Sequence, residues 1–462
     1  LHYAVNNNHV DIVDIILNRP GVSIFEHYFK GNEKLKEICL GQYVECIHYW
    51  AFSDCYSLKE MIIPNSVTKI EYQAFSYCSA LEKVVLPNTL EVIEYGTFYY
   101  CKSLKEIKIP SSVTLIGRSS FENCLSLENV YFESPSSLKV IGNDAFIGCD
   151  KLEKIDFPSS IIEFASGCFE GCFLKTVEFP SSLKFIGPYT FSGCKFLKKI
   201  VILPSIQYIG NNAFEDCSIL EEVIFQPNSS LECITSCLFY HCYSLSKIII
   251  PSSVKIIGDH AFECVPLKEI IFPSSVEILG SYTFCRCESL TKIVIPSSLK
   301  KIGEGCFENC TKIEEIIFEL PSSLSKIEEN VFNQCISLKR IDIPSSVTII
   351  EYSAFYQCFS LKNVAIPSSI TVIGDLAFKQ CTLLNDISIP SSVTIIGQQA
   401  FRECISLTRI VIPSSVVSIE YAAFEGCKNL QDIYIHHDVN ANNNIDKSAF
   451  ENCFPFTRIK KL

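Results

Sequence analysis

A phenylalanine returns along this chain every 22 to 26 residues, most often every 23, from Phe52, Phe75, Phe98 and Phe121 through to Phe424 and Phe450. It does so eighteen times, always with a large apolar residue five positions earlier. A cysteine follows three positions later in seventeen of the eighteen, the exception being Val265, which has Cys264 beside it. A unit this short cannot bury its own apolar face, so a fixed period of this length requires successive units to stack on one another. With 48% hydrophobic and 19% charged residues, the 462-residue chain has ample material for such a shared core.

One unit reads Leu104-Lys-Glu-Ile107-Lys-Ile109-Pro110-Ser-Ser-Val113-Thr-Leu-Ile116-Gly117-Arg-Ser-Ser-Phe121-Glu-Asn-Cys124. The L-x-x-I-x-I opening ends with period two, as a short strand with one buried face should. Proline cannot donate to a ladder and ends that strand at a corner. Ser-Ser supplies side-chain hydrogen bonds for the turn. The Val-x-x-Ile pair starts a second extended arm, and Gly117 is expected to permit a bend there. Glu71 or Glu94 stands in the same place elsewhere, so that glycine is helpful and not obligatory. The piece around Phe121 and Cys124 reads as a single helical or 3₁₀ turn that drops both side chains into the core.

A slower period lies over the first. The Phe intervals run 25, 23, 22, 23 from Phe121 to Phe214 and repeat the same four values from Phe214 to Phe307. Tyr189-Thr190-Phe191 matches Tyr282-Thr283-Phe284 between the two blocks, which points to duplication of a four-unit block.

The unit resembles the BspA-type leucine-rich repeat, and the resemblance runs from Leu35 to Leu462. It implies a curved horseshoe solenoid with a continuous parallel sheet on the concave face and short strands and turns on the convex face. It also implies a protein-binding role, as a cell-surface adhesin or antigen. Leu1-His2-Tyr3-Ala4 and the amphipathic stretch from Val10 to Leu17 resemble the second part of an ankyrin repeat. The expected organisation is therefore a helical ankyrin piece over 1–24, a connector over 25–34 and the solenoid over 35–462, about eighteen repeats plus a terminal strand. An intracellular ankyrin and leucine-rich-repeat scaffold is the alternative setting. Because Leu1 opens the chain and Met61 is its single methionine, the N-terminus reads as a cut through a longer protein.

Other function classes find little support. The net charge of −12 argues against a nucleic-acid partner, which needs a basic face. No stretch approaches eighteen consecutive apolar residues, so no membrane insertion is expected. No phosphate-binding glycine loop, nucleophile elbow or H-E-x-x-H occurs, so neither an enzyme nor a cofactor is expected. Twenty-five cysteines invite a metal. However, Cys233, Cys237 and Cys242 with Cys264, and the pair Cys285 and Cys287, lack the C-x₂-C spacing of structural zinc sites. The seventeen-membered column reads as buried, reduced thiols, since disulfides need side chains aimed at each other. His436 and His437 fall in a polar insertion that reads as a solvated loop.

The candidate binding face comes from the strand residues on either side of the buried isoleucine, which point outward. The first outward position reads Lys199, Glu222, Lys247, Glu269, Lys292, Glu315, Arg340, strictly alternating in sign. Such a ladder keeps coils in register or orients a ligand, and each exposed pair is worth only about 0.2–1 kcal/mol. The second outward position reads Val201, Ile224, Ile249, Ile271, Val294, Ile317. Lys108, Tyr131, Asp156 and Glu178 precede that run, and Asp342, Ala365 and Ser388 follow it. An exposed apolar stripe marks an interaction surface, although β-branched residues also simply suit a strand.

Overall fold

The computed structural model describes residues 22–435, 444–454 and 458–461. The chain divides into two compact units, Leu1–Ser230 and Leu231–Leu462. Each is a stack of coils built on the same plan, and among the described residues every strand pairing is parallel. In a typical coil the front arm is a four-residue strand such as Glu106–Ile109, in which Ile107 and Ile109 are buried and Glu106 and Lys108 exposed. The back arm is a two-residue strand such as Leu115–Ile116.

The front ladder is parallel, as expected, but it is not continuous. In the first unit it joins Glu60–Ile62, Lys83–Val85, Glu106–Ile109 and Asn129–Phe132, then resumes with Lys199–Ile202 beside Glu222–Phe225. In the second it joins five strands from Lys292–Ile295 to Asp386–Ile387, and three more from Arg409–Ile412 onward. Residues 154–157 and 176–179 in the first unit, and 247–250 and 269–272 in the second, form no continuous strand among the described residues. These gaps fall in the two coils that follow a lengthened one, the second of them shortened, so neighbouring front arms cannot keep one offset. The long coil ending at Phe332 has no shortened successor, and its front pairing between Glu315 and Arg340 survives.

The phenylalanine column is the axis of each stack. Rings lie 4.9 to 5.6 Å apart and nearly parallel from Phe29 to Phe214. From Phe239 to Phe450 they lie 5.1 to 5.8 Å apart. The stack reaches further toward the N-terminus than Leu35. Val22–Ile24 is a strand paired with Val44–Ile47, and Phe29 is buried against Phe52. The ankyrin-like reading of residues 1–24 otherwise lies outside the described residues, and no helix occurs among those described.

The Phe turn is not helical. Residues two before and two after each column Phe from Phe52 to Phe424 take positive φ, such as Gln73 at 53° and Tyr77 at 60° around Phe75. Alternating the backbone in this way aims successive N–H groups in turn along the stack and within the coil. Gln73, Phe75 and Tyr77 donate to Tyr95, Thr97 and Tyr99 of the next coil, while Ser76 and Cys78 donate to Gln73 and Phe75 of their own. The amides of Gln73, Phe75, Ser76, Tyr77 and Cys78 thereby all find acceptors.

Two sequence expectations are corrected in detail. Gly117 does not serve a bend, because a Cβ there would meet Ile93 O at 2.6 Å and Glu94 C at 2.9 Å. The glycine lets adjacent backbones approach. The second serine of Ser-Ser does not tie its own turn; Ser112 donates to Leu90 O of the preceding coil at 2.7 Å and Ser298 to Val276 O at 2.7 Å.

Candidate protein-binding face

The front arms place the predicted charge ladder as expected for nearest neighbours in a parallel sheet. Lys199 pairs with Glu222 at 2.7 Å, Lys247 with Glu269 at 3.1 Å and Lys292 with Glu315 at 2.9 Å. Arg340 stands opposite Glu315 in register. The hydrogen bond and charge of Lys292, with Arg340 behind them, hold the Glu315 carboxyl below the usual carboxylate range. Similar rungs recur one residue earlier, at Glu82–Lys105 and Glu314–Lys339, and on the back arms at Glu232–Lys255 and Glu277–Lys300. A pattern repeated on both arms, with its charges already matched, acts as a device of register.

The apolar column behaves differently. In the first unit Val201 and Ile224 face each other in register and are half-buried. In the second unit Ile249 and Ile271 are 73% and 76% exposed. Val294 is exposed and Ile317 half-buried, the two again in register. Ile249 and Ile271 both lie in coils whose front arms form no continuous strand. The sequence missed a further member. Leu320, 74% exposed, belongs to the insertion after Phe318 and stands where the equivalent insertion carries Ser134. A shallow depression beside it is lined by Ile317, Phe318, Leu320, Arg340, Asp342 and Pro344. The signal was legible: three insertions share the frame F-x-x-x-S-S-L, and only this one fills it with leucine.

The same outward column is also apolar at Ile62 and Val85 in the first unit, both exposed. Strand preference therefore accounts for part of the pattern.

The cysteine column is buried as expected, but the thiols do more than fill space. Each donates to the carbonyl of the column Phe one coil back, for example Cys124 to Phe98 at 3.3 Å and Cys310 to Phe284 at 3.0 Å. All twenty-five cysteines are free, nineteen of them buried. Burial pushes the Cys172 and Cys285 thiols up to about 12. A grouping that sequence reasoning passed over lies on the back arms of the first unit. Cys46, His48 and Glu71 bring one ligand atom each within 4.8 Å of one another. Burial opposes ionisation of Glu71, but hydrogen bonds from Lys69 and His48 outweigh it and hold the carboxyl below its usual range. The C-x-H spacing, with an acid one repeat later, was the available signal. No helix among the described residues is long and apolar enough to cross a membrane.

Comparison with known proteins agrees with this architecture. A family model for the BspA type leucine rich repeat region matches residues 4–128, 116–232, 232–361, 317–431 and 348–461. A leucine-rich repeat protein from Bacteroides ovatus ATCC 8483 shares 29% identity, covering 92% of this chain and 90% of its own, with a TM-score of 0.53. One from Eubacterium ventriosum ATCC 27560 shares 25% identity over 66% of this chain and 84% of its own, with a TM-score of 0.48. A leucine rich cell surface protein from Faecalibacterium prausnitzii A2-165 shares 24% identity over 87% of both chains, with a TM-score of 0.31. The search of curated proteins finds no match. The matched spans take in every residue from 4 to 461, and the stacked coils carry the repeated Phe column through both units: this chain belongs to the BspA-type leucine-rich-repeat family.

Proposed function

We propose that this chain is a non-enzymatic, protein-binding solenoid whose docking surface centres on Ile249, Ile271, Val294 and Ile317, with Leu320 at its edge. The observation that carries the reading is the exposure of Ile249 and Ile271, about three-quarters each, within a column that elsewhere carries Lys108, Asp156 and Asp342. Interfaces concentrate their energy in such dry apolar centres. The ladder beside it, already paired, tunes orientation and rate more than affinity. Val201 and Ile224 hold the equivalent position in the coils of the first unit but offer less surface, being half-buried. The family resemblance supports a cell-surface setting, as an adhesin or antigen.

The test is a pull-down comparing the native chain with Ile249→Asp/Ile271→Asp, with circular dichroism as the folding control. The variant is expected to fold and to lose the partner. A folded variant that retains every partner overturns the reading and moves the search to the convex turns. An intracellular scaffold is the second reading, favoured by twenty-five free cysteines, since an oxidising compartment selects for paired ones. Antibody staining of intact against permeabilised cells separates the two settings.

A further inference from the structure

We propose that Cys46, His48 and Glu71 form a binding site for a zinc-class divalent cation, linking two successive coils of the first unit. The strand Val44–Ile47 buries Val44 and Ile47, so Cys46 points outward. His48, two residues on, shares that face. In the next coil the register pairs Cys46 with Lys69 and Ile47 with Ile70, which sets Glu71 opposite His48. Thiol sulfur, imidazole nitrogen and carboxylate oxygen thus converge from two coils.

The donor set has the right chemistry. A borderline-soft cation such as zinc takes thiolate, imidazole and carboxylate together, with one position left for water. Tetrahedral zinc, with bonds of about 2.0–2.3 Å, needs its donor atoms about 3.3–3.7 Å apart. Here they already lie within 4.8 Å of one another, and His48 Nδ1 is 3.1 Å from Glu71 Oε2. Closing the rest of the gap requires only rotamer adjustment at the surface.

Supporting contacts orient the ligands before any ion arrives, as partners behind a metal's ligands do. The Tyr49 backbone N–H donates to Glu71 Oε2 at 3.2 Å. Lys69 donates to the other oxygen, Oε1, at 2.9 Å, which leaves Oε2 turned toward His48. The His48 ring lies parallel to Phe25 of the preceding coil, with centroids 5.9 Å apart. Three coils therefore hold one imidazole and one carboxylate in place. Binding here would cross-link the coils carrying His48 and Glu71, so the ion would act as a staple between neighbours already joined by the Phe52–Phe75 stack and the back strands.

The experiment uses the full chain, reduced and freed of metal by a chelator, titrated with cobalt(II) alone. A thiolate-to-cobalt charge-transfer band should grow to one equivalent and vanish on adding zinc. Cys46→Ser should abolish the band, and His48→Ala or Glu71→Gln should weaken binding by about ten-fold or more. Cys39→Ser, which alters the exposed cysteine nearby, should leave the band intact. Circular dichroism confirms that each variant is folded, and zinc should raise the Tm of the native chain but not of Cys46→Ser. Absence of a band at millimolar cobalt overturns the proposal, as does a band that persists in Cys46→Ser.

Discussion

The thiol of Cys101 donates to the backbone carbonyl of Phe75 at 3.2 Å, from one coil to the one before it. Two columns that look independent in the sequence, one aromatic and one sulfur, are therefore a single device. The ring of each Phe stacks along the solenoid, and its carbonyl is capped by the cysteine of the next coil. Serine could not replace the thiol without bringing a more strongly hydrated hydroxyl into an apolar core. Alanine would leave the carbonyl with the Cys78 N–H of its own coil and a small void where the sulfur was.

Cys101→Ala is accordingly expected to destabilise the first unit by about 0.5–1.5 kcal/mol, the net worth of one hydrogen bond, since the Phe75 carbonyl keeps the Cys78 N–H. Chemical denaturation against Cys39→Ala, an exposed position, provides the comparison. Equal midpoints for the two variants would reduce the column to space filling.

Thiol accessibility follows from burial. Only Cys39, Cys46, Cys233, Cys237, Cys264 and Cys453 are exposed or half-buried, so at most six adducts should form on the native chain. After denaturation all twenty-five should react. Burial also raises the Cys264 thiol, ahead of the charge of Glu263, so even accessible sites should label slowly at neutral pH. Intact-mass spectrometry counts the adducts, and disulfides in place of free thiols would contradict the structure.

Glycine at the back corner acts through space between coils. A Cβ on Gly210 would sit 2.3 Å from Pro188 N and 2.6 Å from Gly187 C, both backbone atoms that cannot step aside. Gly210→Ala should therefore cost about 1–3 kcal/mol, the usual toll of overpacking. A Tm equal to that of the native chain would show that adjacent coils can separate there freely.

Acid should loosen the ladders. Glu82, Glu277 and Glu315 have carboxyls held below their ordinary range by hydrogen bonds from Lys105, Lys300 and Lys292. A group whose folded pKa is depressed contributes its stability in full above the unfolded value, about 4.3 for Glu. That contribution is lost as pH falls through the lower folded value. The Tm should thus hold from pH 7 to about 5 and drop below it, with a smaller drop in high salt because these pairs are exposed. Lys292→Met should flatten the acid limb, and an unchanged limb would show that its rung lends no stability.

How much of this was legible in the sequence depends on the range of the interaction. Period, strand placement, the buried Phe and Cys columns and the sign of every ladder rung follow from residue type and spacing. A repeat read once predicts what its neighbours must bury. The parallel pairing of Lys199 with Glu222, and of Val294 with Ile317, is of this kind. Other features arise only when one coil is set against the next. The left-handed residues Gln73 and Tyr77 carry no glycine to announce them, because the next coil's carbonyls impose their conformation. Gly117 looked like a hinge, and its role became visible only once Ile93 O closed to within 2.6 Å of its missing side chain. The lapse of the front strand around Ile271 is likewise absent from any single repeat. It follows a lengthened coil and ends in a shortened one two places on, an offset that accumulates between neighbours. Cys46 and Glu71 stand 25 residues apart, and only the coil register brings them together. Local chemistry determined what each coil is made of, and stacking decided which atoms of adjacent coils meet.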